Sequence, residues 1–180
     1  MPEHDVTFDL QEQVARRDPT PGHRWNHWRW RRFELTAARR VKQVVVMSDK
    51  DRALLGTGTV VENGVDLARF VPVPEEPANR RILFIGSFRH FPNVVAARWF
   101  LEEVWPRVDA RATLEIVAGP EHELYWKPPL WPRVELHGFV ADVRPLYGRA
   151  NVVVVPTLVS AGTNLKVIEA MAMRRAVVAT

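Results

Sequence analysis

The 180-residue sequence lacks cysteine, which excludes disulfide bonds and thiolate metal sites and fits a reducing compartment. It has no apolar run near the roughly 18 residues of a membrane span, and no signal-peptide pattern follows Met1. Lysine is scarce, with 4 residues against 21 arginines, so guanidinium groups carry most of the positive charge behind the net +4. This modest excess of cations favours an acidic partner, for which nucleotide, anionic lipid and nucleic acid all qualify.

The C-terminal stretch 151–180 has the pattern of a strand, a loop, a helix and a second strand. Four consecutive valines at 152–155, stopped by Pro156, are typical of a strand buried on both faces. A polar loop at 157–164 follows, and then apolar residues recur at helical spacing over 165–174. Residues 176–180 have the composition of another buried strand, so the stretch predicts one unit of an open parallel sheet.

The same alternation extends upstream and predicts a doubly wound α/β sheet with right-handed crossovers. The predicted strands span 81–86, 113–118, 133–137, 151–155 and 176–179. The helices between them are predicted at 93–108, 121–130, 143–149 and 165–174. If the strand order is of the Rossmann type, the first and fourth strands are neighbours, and the loops 87–93 and 157–164 line one crevice.

The start of the last predicted helix has the chemistry of an anion site. Ligands of such sheets bind beyond the carboxyl ends of the strands, and a helix N-terminus there favours negative charge. Lys166 lies in the first turn and Glu169 one turn later, so a cation suits a diphosphate and a carboxylate suits sugar hydroxyls. A solvated Lys–Glu pair worth a few tenths of a kcal/mol fits this spacing equally well.

Five segments of the chain resemble one enzyme family. GTNLKVIEAMAMRRAVVAT resembles the donor-binding signature of the retaining, nucleotide-sugar-dependent glycosyltransferases of the GT-B fold, the group 1 or family 4-like enzymes. RILFIGSFRHFPNVVAARWFLEEVWPRV is similar to the first strand and helix of their C-terminal domain, and VELHGFVADVRPLYGRANVVVVP to its third and fourth strands. VVENGVDLARFVPVP resembles the interdomain junction, and EHDVTFDLQEQVARR a segment late in the N-terminal domain.

The resemblance implies a donor site made of ten residues and one catalytic residue. The donor-binding residues are Gly86, Ser87, Arg89, Phe139, Val140, Gly162, Thr163, Asn164, Lys166 and Glu169. Glu169 would hold the ribose, Arg89 and Lys166 the diphosphate, and the backbone at Phe139 and Val140 the base. His4 would reach the transferred sugar, although a surface histidine is an equal alternative. The first of the family's two glutamates falls on Ala161, which leaves sugar recognition in part to the backbone amides at 162–164.

The resemblance also implies a domain plan and an activity. We expect a remnant of the N-terminal domain at 1–71, a Pro-rich linker at 72–80, and a donor-binding domain at 81–180 truncated after its fifth strand. The parent enzyme would transfer sugar from a nucleoside diphosphate sugar to a polysaccharide or lipid-linked acceptor, with retention of configuration. No cofactor or metal is expected, since cations and helix amides replace Mg²⁺ at the leaving diphosphate.

Three expectations concern this chain rather than the parent enzyme. In isolation we expect little or no transferase activity, because a GT-B enzyme closes two domains over its donor, and the last strand becomes an exposed edge. A non-catalytic module that binds a nucleotide or another subunit is the alternative. We expect a cytoplasmic location, with peripheral contact to the inner membrane face as an open alternative because family members act on lipid-linked acceptors.

The segment 24–32, RWNHWRWRR, interleaves tryptophan with arginine in the manner of nucleic-acid-binding and membrane-surface patches. Trp25, Trp28, Arg32 and Leu35 share one face at helical spacing. We favour a long amphipathic helix to Arg40 that packs its tryptophans under a domain and solvates its arginines. Nucleic acid is therefore not an expected partner.

Overall fold

The computed structural model of the chain describes residues 2–3, 6–74, 79–127, 129, 131–159 and 164–180. The chain divides into two compact units. The first comprises Met1–Gly64 with Val159–Asn164, and the second comprises Val65–Leu158 with Leu165–Thr180. The domain plan with a linker at 72–80 stays a prediction.

Among the described residues, the first unit contains a small parallel sheet and three helices. Its strands pair in chain order and are β1 (Pro2–Glu3), β2 (Val45–Val46) and β3 (Thr59–Val60). Its helices are α1 (Thr7–Arg17), α2 (Pro21–Arg40) and α3 (Asp49–Leu55).

Side-chain caps set where two of these helices begin. The Thr20 hydroxyl accepts a hydrogen bond from the His23 amide, 3.2 Å away, and Pro21 then occupies the first turn of α2. The Ser48 hydroxyl accepts from the Asp51 amide at 3.1 Å and starts α3. Gly56, with φ of 70°, ends α3 in the left-handed region, which glycine adopts without strain.

The side of α2 that is buried carries an acidic residue and not the tryptophans of the helix. Glu34 is buried, and its two carboxylate oxygens accept from the amides of Thr7 at 2.9 Å and Phe8 at 3.0 Å. Those amides open α1, where the helix dipole favours negative charge. Glu34 therefore fastens α2 to the start of α1, and Ala38 on the same face joins the apolar core of this unit.

The aromatic side chains of α2 are exposed, so the expectation that its tryptophans are packed under a domain is wrong. Trp25, Trp28, Trp30 and Phe33 are 57%, 49%, 41% and 63% exposed. Trp25 stacks on Trp28 with ring centroids 4.9 Å apart, and Trp30 meets Phe33 edge to face at 5.9 Å. The helix itself, to Arg40, is as predicted.

The second unit is built on a five-stranded parallel sheet. In chain order its strands are β4 (Arg81–Ile85), β5 (Thr113–Val117), β6 (Val134–His137), β7 (Val152–Val155) and β8 (Ala176–Ala179). The spatial order is β6-β5-β4-β7-β8, which is the Rossmann arrangement around the first strand. The prediction that the first and fourth strands of this sheet are neighbours is confirmed, since Ile82 pairs with Val152.

Three helices in the described part of this unit cover the sheet: α4 (Phe91–Trp99), α5 (Arg144–Arg149) and α6 (Leu165–Ala172). A π-helical turn at Phe100–Val104 and a 3-10 turn at Trp105–Arg107 extend α4. The predicted helix at 121–130 is wrong, because the described part of that segment forms only a 3-10 turn at His122–Leu124. Pro128 and Pro129 in this segment lack the backbone N–H that a continuous helical hydrogen-bond ladder needs.

Apolar side chains pack on both faces of the sheet. Phe84, Ile116 and Val154 point to the side of α4, where Leu101 and Trp105 join them. Leu83, Val153 and Val155 point to the other side, where they meet α5 and α6. The valines of β7 are thus buried on both faces, as predicted. For β8 the expectation of burial is wrong and the expectation of an exposed edge is confirmed, since Val178 is 60% exposed.

No helix within the described ranges is both long and apolar enough to span a bilayer.

Candidate functional site

The candidate site lies where β4 and β7 end. The two strands are parallel neighbours, so the segments that follow them leave the sheet at the same edge. The segment after β4 leads through Ser87 and His90 into α4, and the segment after β7 leads to α6. This is the switch point of the sheet, at which open α/β folds bind their ligands.

Lys166 is held in this site by a neutral partner. Its ammonium donates a hydrogen bond to the side-chain oxygen of Asn93 at 2.9 Å, and it lies 5.6 Å from the centre of the Phe84 ring. Burial lowers the pKa of Lys166 to about 8, against the opposing effect of the Glu169 carboxylate. The amine is therefore half-buried and mostly charged near neutral pH.

Glu169, one turn further along α6, is also held by a neutral partner. The hydroxyl of Tyr147 donates to its carboxylate at 2.9 Å. Tyr147 is fully buried, and burial together with the Glu169 charge raises the pKa of its phenol. The phenol thus stays protonated and acts as a fixed donor, which leaves further carboxylate lone pairs to accept from a ligand.

Asn93 is the site residue that sequence reasoning missed. Its amide nitrogen donates to the backbone oxygen of Ser87 at 3.0 Å, while its oxygen accepts from Lys166. A side chain at Gly86 would place its Cβ 2.6 Å from the Asn93 Cγ, so Gly86 is required by this close approach. The only sequence signal was an asparagine at the end of the predicted loop 87–93, and spacing gave it no role.

Gly86 and Ser87 thereby lie close to Lys166 through Asn93. The crevice between the loops 87–93 and 157–164 stays a prediction, because residues 160–163 lie outside the described residues. The Gly86 amide donates to Val117 at the end of β5, at 2.9 Å. Ser87 packs against Gly119, whose φ of 79° and missing Cβ make room for it. The loops that follow β4 and β5 are therefore tightly packed beneath the site.

Other predicted site residues lie apart from this group. Arg89 forms an exposed ion pair with Glu121, which raises the pKa of the guanidinium. Phe139 follows β6 and is 72% exposed, while Val140 packs against the apolar cluster on the α5 side of the sheet. Their roles toward a diphosphate and a base stay predictions.

Three predicted residues, His4, Gly162 and Thr163, lie outside the described residues. Asn164 is described and directly precedes the first residue of α6.

A second charged group lies on the sheet face that α5 covers. The carboxylate of Glu115 is bound in a bidentate manner by Arg149, at 3.0 and 2.6 Å, and lies 3.2 Å from the His137 ring. Potential metal-ligating atoms of Glu115, Glu135 and His137 also lie within 4.8 Å of one another. Because Arg149 already occupies both Glu115 oxygens, we interpret the group as an internal ion-pair network.

The fold agrees with the comparisons of this chain with known proteins. The family model described as glycosyl transferases group 1 matches residues 79–180. No curated protein sequence matches the chain.

Solved structures of glycosyltransferases share its fold. HepE from Anabaena, crystallised with UDP-glucose, is 17% identical with a TM-score of 0.68 over 83% of this chain and 48% of its own. TarM is 18% identical with a TM-score of 0.64 over 84% of this chain and 32% of its own. A glycosyltransferase from Rickettsia africae is 18% identical, with a TM-score of 0.57 over 81% and 47%. The chain therefore spans less than half the length of these structures.

Proposed function

Because the chain belongs to the glycosyl transferases group 1 family, we propose that it binds a nucleoside diphosphate sugar, and that the complete enzyme transfers the sugar to an acceptor. The observation that carries this proposal is the pair Lys166 and Glu169 at the switch point of the sheet, each held by a neutral hydrogen-bond partner. The similar HepE was solved with UDP and glucose and with UDP-glucose, which supports a donor of this class.

Each residue of the pair has a distinct role in this proposal. The Lys166 ammonium lies against the diphosphate, and the Glu169 carboxylate accepts hydrogen bonds from the ribose hydroxyls. During transfer the bond between the sugar carbon and the diphosphate oxygen breaks, and that carbon forms a bond to a hydroxyl oxygen of the acceptor. The hydroxyl proton is released, and negative charge builds up on the leaving diphosphate. A positioned cation stabilises that charge, so we propose a metal-independent reaction.

Finer features of the reaction are proposals by resemblance. They comprise retention of configuration, a hexosyl group as the transferred sugar, and contact of His4 with that sugar. Diphosphate contact by Arg89 belongs with them, as do base contact at Phe139 and Val140 and backbone contact at Gly162, Thr163 and Asn164. Since the chain spans 48% of the HepE chain, we expect donor binding with little or no turnover from these 180 residues alone.

We further propose a polysaccharide or lipid-linked acceptor, with peripheral contact at the cytoplasmic face of the membrane. The α2 surface, formed by Trp25, Trp28, Trp30, Phe33 and the arginines between them, supports this contact. Its aromatic side chains are exposed, and the guanidinium of Arg32 lies 5.6 Å from the Trp28 ring. Helix α2 carries six arginines and a single acid, Glu34, which is buried, so its exposed side suits an anionic bilayer.

The donor proposal is tested by saturation-transfer NMR of the chain with UDP, GDP and ADP. We expect one nucleotide to give a signal that Lys166→Ala and Glu169→Ala remove and that Lys50→Ala, an exposed lysine of α3, leaves intact. A folded chain that binds none of the three nucleotides would contradict the donor site. Binding that is unchanged in both α6 variants would place the nucleotide elsewhere.

The membrane contact is tested by sedimentation with phosphatidylglycerol vesicles. We expect binding that weakens with added salt and disappears when Trp25, Trp28 and Trp30 are all changed to serine. Leu67→Ser and Leu124→Ser, which alter exposed apolar residues of the second unit, serve as controls and should bind normally. Equal binding to neutral phosphatidylcholine vesicles, or binding only to an oligonucleotide, would overturn this contact.

A further inference from the structure

Asn93 connects the two strand ends that form the candidate site. Its side chain belongs to the first turn of α4, and the residue it contacts on α6 is Lys166, 73 positions later. One amide thus bridges the segment after β4 and the helix after β7. The two strands pair through their backbones, and this hydrogen bond adds a side-chain link between the segments that follow them.

The orientation of the Asn93 amide is fixed from three sides. The nitrogen donates to the Ser87 oxygen at 3.0 Å, which leaves the amide oxygen to face the ammonium of Lys166. The backbone at Gly86 lies against Cγ, where a Cβ would come within 2.6 Å. The lysine has a long flexible side chain with several rotamers, so a rigid acceptor restricts it to one position.

A neutral acceptor also preserves the charge of the lysine. A carboxylate at position 93 would pair with the ammonium and compete with any anionic ligand. An amide oxygen accepts a hydrogen bond from one of the three N–H groups of the ammonium and leaves the positive charge in place. Burial beside the Phe84 ring favours loss of the proton, and a hydrogen bond accepted from the ammonium opposes that loss.

We infer that Asn93 is a positioning residue, which holds the ammonium of Lys166 in place for the diphosphate of the nucleotide. This inference rests on the proposed function. It adds a residue that does not touch the ligand and that acts through Lys166. It also accounts for the absence of a side chain at position 86.

The first test reads the lysine directly and needs no ligand. Titration of the Lys166 ε-carbon resonance by NMR should show a lower pKa in Asn93→Ala, because an acceptor of the charged form is lost. In Asn93→Asp, which keeps the size of the side chain, the pKa should rise. Asn26→Ala, the same change at an exposed asparagine of α2, should leave the titration unchanged. An unaltered Lys166 titration in both position-93 variants would overturn the inference.

The second test separates the phosphate from the nucleoside. Asn93→Ala should weaken UDP binding about tenfold, the usual loss for one hydrogen bond to a charged group, and leave uridine binding unchanged. Asn93→Asp should weaken UDP binding further. If another base proves to be preferred, its diphosphate and nucleoside take the place of UDP and uridine.

The two tests distinguish failure of the inference from failure of the proposed function. If UDP binding requires Lys166 and yet is unchanged in Asn93→Ala and Asn93→Asp, the inference is wrong and the donor site stands. If Lys166→Ala leaves UDP binding intact, the donor site is wrong and the inference falls with it. A general loss of structure in Asn93→Ala would weaken uridine binding as well, and in that case Asn93→Asp decides.

Discussion

Two groups of charged residues in the second unit differ in the partners that hold a partly buried charge. On the α5 side of the sheet, Glu115 is surrounded by cationic or ionisable partners, Arg149 and His137, and its charge is matched within the protein. At the switch point, Lys166 is held by an amide and Glu169 by a phenol. Direct contacts fix the positions of these two side chains without cancelling their charges.

The difference indicates which charges are available to a ligand. A carboxylate already bound in a bidentate manner by arginine has little to offer an incoming group, because displacing the guanidinium exposes an unpaired charge. An ammonium that donates to a neutral amide can bind an anionic ligand without giving up an existing ionic partner. Neutral positioning partners therefore support the proposed ligand site at the switch point, and mutual pairing favours a structural role for the Glu115 group.

The largest expected effect comes from breaking the structural group. Arg149→Ala should lower the free energy of unfolding by about 2 kcal/mol, less than for a fully buried pair because the arginine is partly exposed. Urea denaturation followed by circular dichroism measures this change. UDP binding by the remaining folded protein should be unaltered.

Arg107→Ala is the matched control for that prediction. Arg107 is exposed and lies 3.9 Å from Glu103, so its removal should change the free energy of unfolding by less than about 0.5 kcal/mol. Equal effects of the two substitutions would remove the distinction between a structural network and a surface pair.

A second prediction concerns the glycine beneath Asn93. Gly86→Ala should cost roughly 1–2 kcal/mol of stability, because its Cβ would overlap the asparagine side chain. It should also weaken UDP binding, since Asn93 must move away from Lys166. Gly64→Ala meets no atom within 4 Å and should change neither property. Normal UDP binding by Gly86→Ala would show that the lysine does not depend on this packing.

A third prediction concerns the partner of Glu169. Tyr147→Phe should cost about 1 kcal/mol, because one buried hydrogen bond is lost while the ring still fills its cavity. The carboxylate would then be less firmly oriented, and UDP binding should weaken by a few-fold at most. Thermal unfolding and calorimetric titration measure the two effects. A loss of binding as complete as in Glu169→Ala would give the phenol itself a place in the ligand site.

The pH dependence of stability tests the same comparison, because the two groups act in different pH ranges. Burial raises the pKa of Glu115, but the hydrogen bonds and charges of Arg149 and His137 outweigh it, so the pKa lies below its usual 4.5. The unfolded chain then binds the proton more readily, and this contribution to stability is present above pH 4.5 and is lost as the pH falls through the folded pKa.

For Lys166 the lowered pKa makes the stability of the folded chain rise on the alkaline side. Its folded pKa of about 8 lies below the usual 10.5, so between these values the unfolded chain binds more protons and stability increases with pH. Lys166→Met should remove this rise, and Glu115→Gln should remove the acid contribution. The difference between each variant and the parent chain, measured by urea denaturation across pH, isolates the group. If a variant has the same dependence of stability on pH as the parent chain, the residue it replaces does not make the contribution assigned to it.

Much of the fold could be predicted because alternation of apolar runs and helical spacing is a local property. The strands of the large sheet begin and end within about one residue of their predicted limits, and the neighbouring position of β4 and β7 follows from the Rossmann order. Lys166 and Glu169 could be singled out because a helix start at the end of a buried strand has a defined chemistry.

The failures arose where information beyond one segment was needed. Asn93 has no local signal, because its partner lies 73 positions away in the sequence. For α2, spacing showed that Trp25, Trp28 and Leu35 share a face, but not which face of the helix is covered. The structure buries Glu34 and Ala38, packs Leu35 at the edge of the core and leaves the tryptophans exposed. On the covered side an acid bound to backbone amides takes the place of a large apolar side chain.

The separation of Asn93 from Lys166 also has a consequence for synthesis. A ribosome that adds about 5–20 residues per second needs about 4–15 s to make the 73 residues between them. For most of that interval, until β7 is made, β4 can pair with β5 but not with β7, so one side of the central strand has no partner. The nascent chain therefore presents an open strand edge until translation reaches β7, and this interval is when a chaperone would have most to protect.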